Sequence, residues 1–361
     1  MFPPTRYLEW IRRYYGTIRY DLATSGISTA RLEDLGSLDS RQVSEPDGWE
    51  QLRGAIAKYN DRPAEEAIAT LGATHAVWLA YSTLTNPGDE ILVEDPAYEP
   101  LVRIAQGVGA HVTRFQRPSR EGFALDPERV ARAMTPRTRL VVITNLHNPS
   151  GCRDSDPALR ETARLAGAQG AIVVVDEVYA PFDGLADASR VFRGTARRLA
   201  ANIVAVSSLT KCYGLGHERL GWLLGPADVV ARAGDNLTTS TGFLPLAHAH
   251  RGVFAFERID ELATRARLDL ARKREIVRSW VACRGLTWSD PKDGIFAFVT
   301  VPGRGDLIER IEAGAAEREV LVVPGVFFGI PNGFRVAWSK PLATLNEGLA
   351  RLSEALELAP V

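Results

Sequence analysis

Three apolar runs in this chain end in residues that could do chemistry together. The run Ala171 to Val175 gives way to Asp176-Glu177-Val178-Tyr179, and the run Leu140 to Thr144 to Asn145-Leu146-His147-Asn148-Pro149-Ser150-Gly151. The run Ile203 to Val206 gives way to Ser207-Ser208-Leu209-Thr210-Lys211. Open α/β sheets bind ligands beyond the C-terminal ends of their strands. If the three runs are neighbouring strands, a carboxylate, a carboxamide and an amine meet at one sheet edge. They would supply an anion, a hydrogen-bonding group and a nucleophile for carbonyl carbon. Each alone has a plain structural explanation. A strand-end Asp is often a capping or turn residue, Asn-Pro-x-Gly is turn sequence, and a lone Lys after a strand is commonly solvated.

The surrounding pattern supplies such a sheet. Further short apolar runs lie at Ile91-Leu92-Val93, His111-Val112-Thr113 and Leu220 to Leu224. Most runs are continuous rather than alternating, as in strands buried on both faces, and segments of helical length fit between them. The spacing predicts an α/β, doubly wound, mostly parallel sheet as a large domain over 49–240. A long helical stretch follows Pro245 and runs to about Cys283. Beyond it, Ile295 to Val299, Val320 to Val323 and Phe334 to Trp338 read as strands, with helices near 305–317 and 342–356. The segment 241–361 is therefore expected to hold an interdomain helix and a smaller α+β domain. Residues 1–48, which open with an amphipathic helix near 5–15, are expected to join that small domain as a lid.

Composition narrows the class. Hydrophobic residues at 45% and charged residues at 24% suit a packed globular chain rather than a disordered one. The formal net charge of −1 gives no basic excess, which argues against nucleic-acid and anionic-membrane partners. The three cysteines, Cys152, Cys212 and Cys283, form no CxxC, and no His stands at metal-ligand spacing. A disulfide framework and a metal site are not expected. With no signal-like N-terminus and no long apolar span, the expected location is the cytoplasm.

Six blocks carry a family resemblance. Ser208 to Trp222, SLTKCYGLGHERLGW, resembles the active-site lysine signature of the class I/II aminotransferases. TLGATHA (70–76), NPGDEILVEDPAY (86–98), HNPSG (147–151), DEVY (176–179) and GFRVAW (333–338) are similar to the other family blocks, in family order and spacing. The likeness runs from about residue 49 to the C-terminus. It implies fold type I, with a pyridoxal 5′-phosphate (PLP) cofactor, and a homodimer whose sites are completed across the subunit boundary.

The resemblance also implies roles. Lys211 would carry PLP as a Schiff base and shuttle the substrate proton. Asp176 would pair with the pyridine nitrogen and keep it protonated. Asn148 and Tyr179 would hydrogen-bond the ring's 3-oxygen, and Tyr98 would stack on the ring. Gly72-Ala73-Thr74 opens a helix predicted over 73–84, so its free N–H groups suit a phosphate. Ala73, Thr74, Ser208 and Arg219 would hold that group. Arg335, flanked by apolar residues, is costly to bury unpaired, and the resemblance makes it the grip for the substrate α-carboxylate, with Asn148 and Gly26 nearby. His147 and His217 read as supporting residues. One departure stands out: the family often has a Tyr shortly before the first helix of the large domain, and Arg41 to Asp47 has none. Thr238-Thr239-Ser240 is only weakly similar to a segment that offers hydroxyls across the dimer.

The expected reaction is transfer of an amino group between an α-amino acid and a 2-oxo acid. A second reading is another PLP reaction on the same scaffold: a β- or γ-lyase, a decarboxylase, or a biosynthetic cyclase. ATSGIS (23–28) is similar to the SSSGV-like start of capreomycidine-synthase-like enzymes. A third reading, a PLP-fold sensor domain of a regulator, fits poorly with fewer than 50 residues before the large domain and no basic excess.

Overall fold

The computed structural model describes residues 2–31, 47–183, 194–267 and 270–359, apart from the side chains of 265 and 266. The stretch Arg41 to Pro46, which lacks the family tyrosine, lies outside them.

The apolar runs form a seven-stranded sheet. Its spatial order is Ala67–Thr70, Gly221–Leu224, Ile203–Ser208, Ile172–Asp176, Thr138–Thr144, Glu90–Asp95 and His111–Gln116. All neighbours are parallel except Gly221–Leu224, which is antiparallel to both of its partners. The continuous runs have the predicted cause: successive side chains alternate between two buried faces. Val142, Val174, Val204 and Val206 pack on one side with the helices Ala73–Leu84, Glu99–Gly107 and Ala227–Thr241. Val141, Ile143, Val173, Val175 and Ile203 pack on the other, under Pro127–Ala133 and Asp156–Ala168.

Register levels the strand ends. Thr144 lies opposite Asp176, and Asp176 opposite Val206. The loops beginning at Asn145, Glu177 and Ser207 therefore leave the sheet side by side. The antiparallel strand adds to the same edge, since Gly221 pairs with both Ser208 and Thr70. Arg219 and the Leu71-Gly72 turn thereby join the loop that carries Lys211.

The C-terminal part is built on a four-stranded antiparallel sheet, ordered Val323–Pro324, Gly333–Ala337, Phe296–Thr300 and Thr287–Trp288. The expected strand Val320 to Val323 divides: Val320–Leu321 instead pairs in parallel with Tyr20–Asp21 of the N-terminal segment. The expected opening helix is shorter, Arg6–Arg12. The long helix expected after Pro245 is also interrupted at Arg258, between Leu246–Glu257 and Ile259–Arg267. At Arg258 the backbone turns out of helical geometry (φ −117°, ψ 20°), and its N–H reaches back to Ala255 in a tightened last turn. Apolar spacing of helical period continues through Arg258, whose own backbone is not helical. No helix among the described residues is long and apolar enough to cross a membrane.

Candidate active site

Asp176, at its strand end, is 7% exposed, and its Oδ1 accepts the Val178 N–H at 3.1 Å. Burial pushes its carboxyl up to about 6, against the pull of that N–H and of the Lys211 charge. Lys211 is partly buried, and its amine has no hydrogen-bond or ion-pair partner among the described residues. Burial lowers its pKa to about 8, helped by the positive charges of Arg335 and Arg219 and opposed by Asp176. An ordinary lysine is protonated near neutral pH, whereas this one titrates within reach of it. Cys212, next in sequence, is buried with its thiol on the Val178 carbonyl at 3.2 Å, which ties the lysine loop to the Asp176 loop.

Asn148 is held from below by a largely buried network. Its N–H donates to Thr144 Oγ1 at 3.1 Å, and the Thr144 N–H and hydroxyl both donate to Glu94 Oε1, the former at 2.8 Å. Arg117 bridges Glu94 (2.6 Å) and Asp154 (2.5 Å), and the Asp154 N–H donates to Asn145 Oδ1 at 3.0 Å. Burial drives the Glu94 carboxyl up to about 7 although Arg117 opposes it. Losing one member would strand the others unpaired and buried, commonly at a cost of about 3–5 kcal/mol. The His147 ring belongs to the same scaffold. Its Nε2 lies 3.0 Å from the Pro96 carbonyl, which can only accept, so Nε2 carries the hydrogen and Nδ1 accepts from Ser150 Oγ at 2.7 Å. Burial and the Arg117 charge hold it neutral.

Arg335 sits mid-strand, opposite Phe298 and Val323, and is 1% exposed. Its Nη1 donates to Asn148 Oδ1 at 2.8 Å, and its Nη2 donates to the Tyr7 hydroxyl at 3.1 Å and the Ala23 carbonyl at 3.0 Å. Nε is buried without an acceptor, and no carboxylate among the described residues pairs with this cation. The rings of Phe296, Phe328 and Tyr7 lie 5.1, 5.8 and 5.9 Å from the guanidinium carbon.

The N-terminal segment lies directly on these groups. Gly26 stands against Lys211, where a Cβ would meet its Cδ at 3.5 Å, and the Ile27 N–H donates to the Lys211 carbonyl at 3.1 Å. Tyr179 is buried, with its hydroxyl 2.7 Å from Ser25 Oγ and its ring edge-on to Phe296. Tyr98 is half-buried just before the helix Glu99–Gly107, edge-on to Tyr7 at 6.0 Å.

A second cluster gathers where the antiparallel strand enters. Gly72 caps the helix Ala73–Leu84 with φ 84° and ψ 170°. The Arg219 guanidinium lies so close that a Cβ on Gly72 would be 2.6 Å from Nη2. Arg219 itself has a left-handed backbone (φ 51°) and is exposed, and it has no acidic partner among the described residues. Thr74 is exposed in the first helical turn and Ala73 half-buried before it. Ser208 is buried, its hydroxyl 2.7 Å from that of Thr210. The cluster offers a cation, hydroxyls and unbonded helix N–H groups, a fit for an oxyanion.

Tyr7, Ser25 and the Ala23 carbonyl are not among the sequence candidates; Tyr7 lies far from the motifs, whereas Ala23 and Ser25 stand in ATSGIS, of which only Gly26 was a candidate. Glu94, also not among them, had a local signal: a carboxylate at the end of the apolar run Ile91 to Val93.

A family model described as aminotransferase class I and II matches residues 30–352. Capreomycidine synthase of Streptomyces vinaceus is 30% identical, over 96% of this chain and 92% of that protein. The aspartate aminotransferase of Streptomyces avermitilis is 25% identical, over 92% and 86%. The crystal structure of a PLP-dependent aminotransferase from Streptococcus suis shares the fold, with TM-score 0.87, 24% identity and coverage of 99% and 98%.

Proposed function

The chain belongs to the class I and II aminotransferases, with their fold type I architecture and PLP cofactor, and we propose that it moves an amino group between an α-amino acid and a 2-oxo acid. The observation that carries the proposal is Arg335, a fully buried cation with a free Nε–H and no carboxylate partner among the described residues. A guanidinium so desolvated is strongly disfavoured unless an anion joins it. The α-carboxylate of an amino acid is the anion this reading assigns.

The residues present fit PLP on three observations: the unpartnered amine of Lys211, the buried carboxylate of Asp176, and the Arg219 guanidinium filling the space that only a glycine at 72 leaves. When bound, PLP supplies an electron sink for the charge that develops as the substrate's Cα–H bond breaks. Lys211 would hold it covalently and Asp176 would hold a proton on its ring nitrogen. Arg219, Ser208, Thr74 and the Ala73 N–H would hold the phosphate, with Tyr98 beside the ring and Asn148 and Tyr179 at its 3-oxygen. Lys211 Nζ, with its pKa near 8, is suited both to take the Cα proton and to return it. Asn148 and Arg335, already bonded to each other, would orient the carboxylate, and Gly26 leaves room beside Lys211. The same reading includes a homodimer, supported by the exposed, adjacent rings of Trp49 and Phe243 (5.3 Å). It also includes a cytoplasmic setting, supported by three free thiols.

The similarity to capreomycidine synthase over nearly the whole chain favours a second reading, another PLP reaction on the same scaffold such as that of a biosynthetic cyclase. Incubation with a panel of amino acids, 2-oxoglutarate and pyruvate, followed by mass spectrometry and the cofactor's absorption bands, separates the two. Transamination yields one 2-oxo acid per donor consumed. Substrate loss with no 2-oxo acid and no change of cofactor form would replace it with the second reading.

A further inference from the structure

The environment of Arg335 assigns a role to Tyr7, a residue outside every recognised motif. A guanidinium has five N–H groups and grips a carboxylate by two parallel bonds along either of two edges, Nη1 with Nη2 or Nε with Nη2. Both edges include Nη2. Its two hydrogens are already committed, one to the Tyr7 hydroxyl and one to the Ala23 carbonyl. A carboxylate that takes either edge must displace one of them.

The two acceptors differ in how they can yield. The Ala23 carbonyl is main chain, in a segment fastened just before it. The Leu22 N–H donates to Leu321, the Leu22 carbonyl accepts from Ala337, and the Ala23 N–H donates to Asp21. The Tyr7 hydroxyl ends a side chain. It accepts from Nη2 and has no acceptor for its own hydrogen among the described residues. Its ring is steadied by Tyr98 and Phe327, with centroids at 6.0 and 5.8 Å, and the Tyr7 N–H donates to Glu99 Oε2 at 2.7 Å.

We propose that Tyr7 is a ligand of the substrate carboxylate: its hydroxyl occupies the Arg335 edge, yields Nη2 to an incoming carboxylate oxygen, and then donates its own proton to that oxygen. The carboxylate is thereby held between a guanidinium and a phenol, and the helix Arg6–Arg12 becomes part of the substrate site. This rests on the reading of Arg335 given above.

The test titrates the PLP-loaded enzyme with L-alanine, whose methyl group makes small demands on a side-chain pocket, and with ethylamine, which lacks the carboxylate. Binding is read from the cofactor absorption band. Tyr7→Phe removes one oxygen and keeps the ring contacts. It is expected to weaken L-alanine about tenfold, the size of one hydrogen bond to a charged group, and to leave ethylamine within about twofold. Arg335→Lys should weaken L-alanine further, and the two changes together should cost less than their product, because both act on one carboxylate. Equal effects on both ligands, or no effect, with Arg335→Lys still selective, would overturn the role of Tyr7 and leave Arg335 standing. Tighter L-alanine binding in Tyr7→Phe would make the hydroxyl a competitor and also overturn it. L-alanine binding undisturbed by Arg335→Lys would remove both.

Discussion

Substituting Gly72 by Ala should damage the phosphate cradle by moving Arg219. The backbone at Gly72 (φ 84°, ψ 170°) lies in a region that is essentially glycine's alone. Forcing alanine into it costs about 1–3 kcal/mol of folding stability. The binding consequence is separate. The new Cβ would stand 2.6 Å from Arg219 Nη2, closer than real atoms approach, and the guanidinium end is the part able to retreat. If Arg219 then loses one charge-assisted bond to the phosphate, about 1.5–3 kcal/mol is forfeited, a rise of roughly 10- to 150-fold in the PLP dissociation constant. Equilibrium titration of apoenzyme with PLP measures it. The control is Arg219→Ala, which should weaken PLP comparably on its own. Adding Gly72→Ala to that background should then change the constant by less than about threefold. An equal loss in both backgrounds, or normal affinity in Gly72→Ala, would refute the argument that this glycine serves the arginine.

Asp176→Ala should retain PLP, which has other holds, but lose about 10²-fold or more in turnover, because nothing then keeps the proton on the ring nitrogen that lets the ring take up the developing charge; normal turnover with full cofactor would remove Asp176 from the mechanism. Incorporation of PLP by apoenzyme should quicken with rising pH and level off near the Lys211 pKa of about 8, since only the neutral amine attacks carbonyl carbon. Below that pH the amine is protonated and the rate falls; Asp176→Asn, which removes a nearby carboxylate favouring the charged form, should move the plateau to lower pH. A rate still climbing towards the ordinary lysine value of 10.5 would show that Lys211 is not perturbed. Sedimentation should find a dimer at micromolar concentration, and Phe243→Asp should shift it towards monomer; an active wild-type monomer would contradict the proposed assembly.

How much of this was legible depended on range along the chain. The large sheet was readable because runs such as Val173-Val174-Val175 are buried on both faces, a local property written in three consecutive residues. The placing of Asp176, Asn148 and Lys211 at one edge followed from strand ends that the sequence marks with a sudden change to polar residues. The interruption of the helix expected after Pro245 was not legible because apolar periodicity does not register a single non-helical residue, Arg258. The split of Val320 to Val323 was invisible because the partner of its first half, Tyr20–Asp21, lies some 300 residues away. Tyr7 escaped for the same reason: its role exists only through its contact with Arg335, and a tyrosine in an amphipathic helix looks like any other, while Ser25, inside ATSGIS, gave no sign of its bond to Tyr179.

The central claim is that Lys211 holds PLP. Borohydride reduction of the purified PLP-loaded enzyme, followed by peptide mapping, tests it in one step. The account predicts a single pyridoxyl group on Lys211, in the peptide around Ser208-Leu209-Thr210-Lys211. A label on another lysine, or a reduced protein with no label, would contradict it.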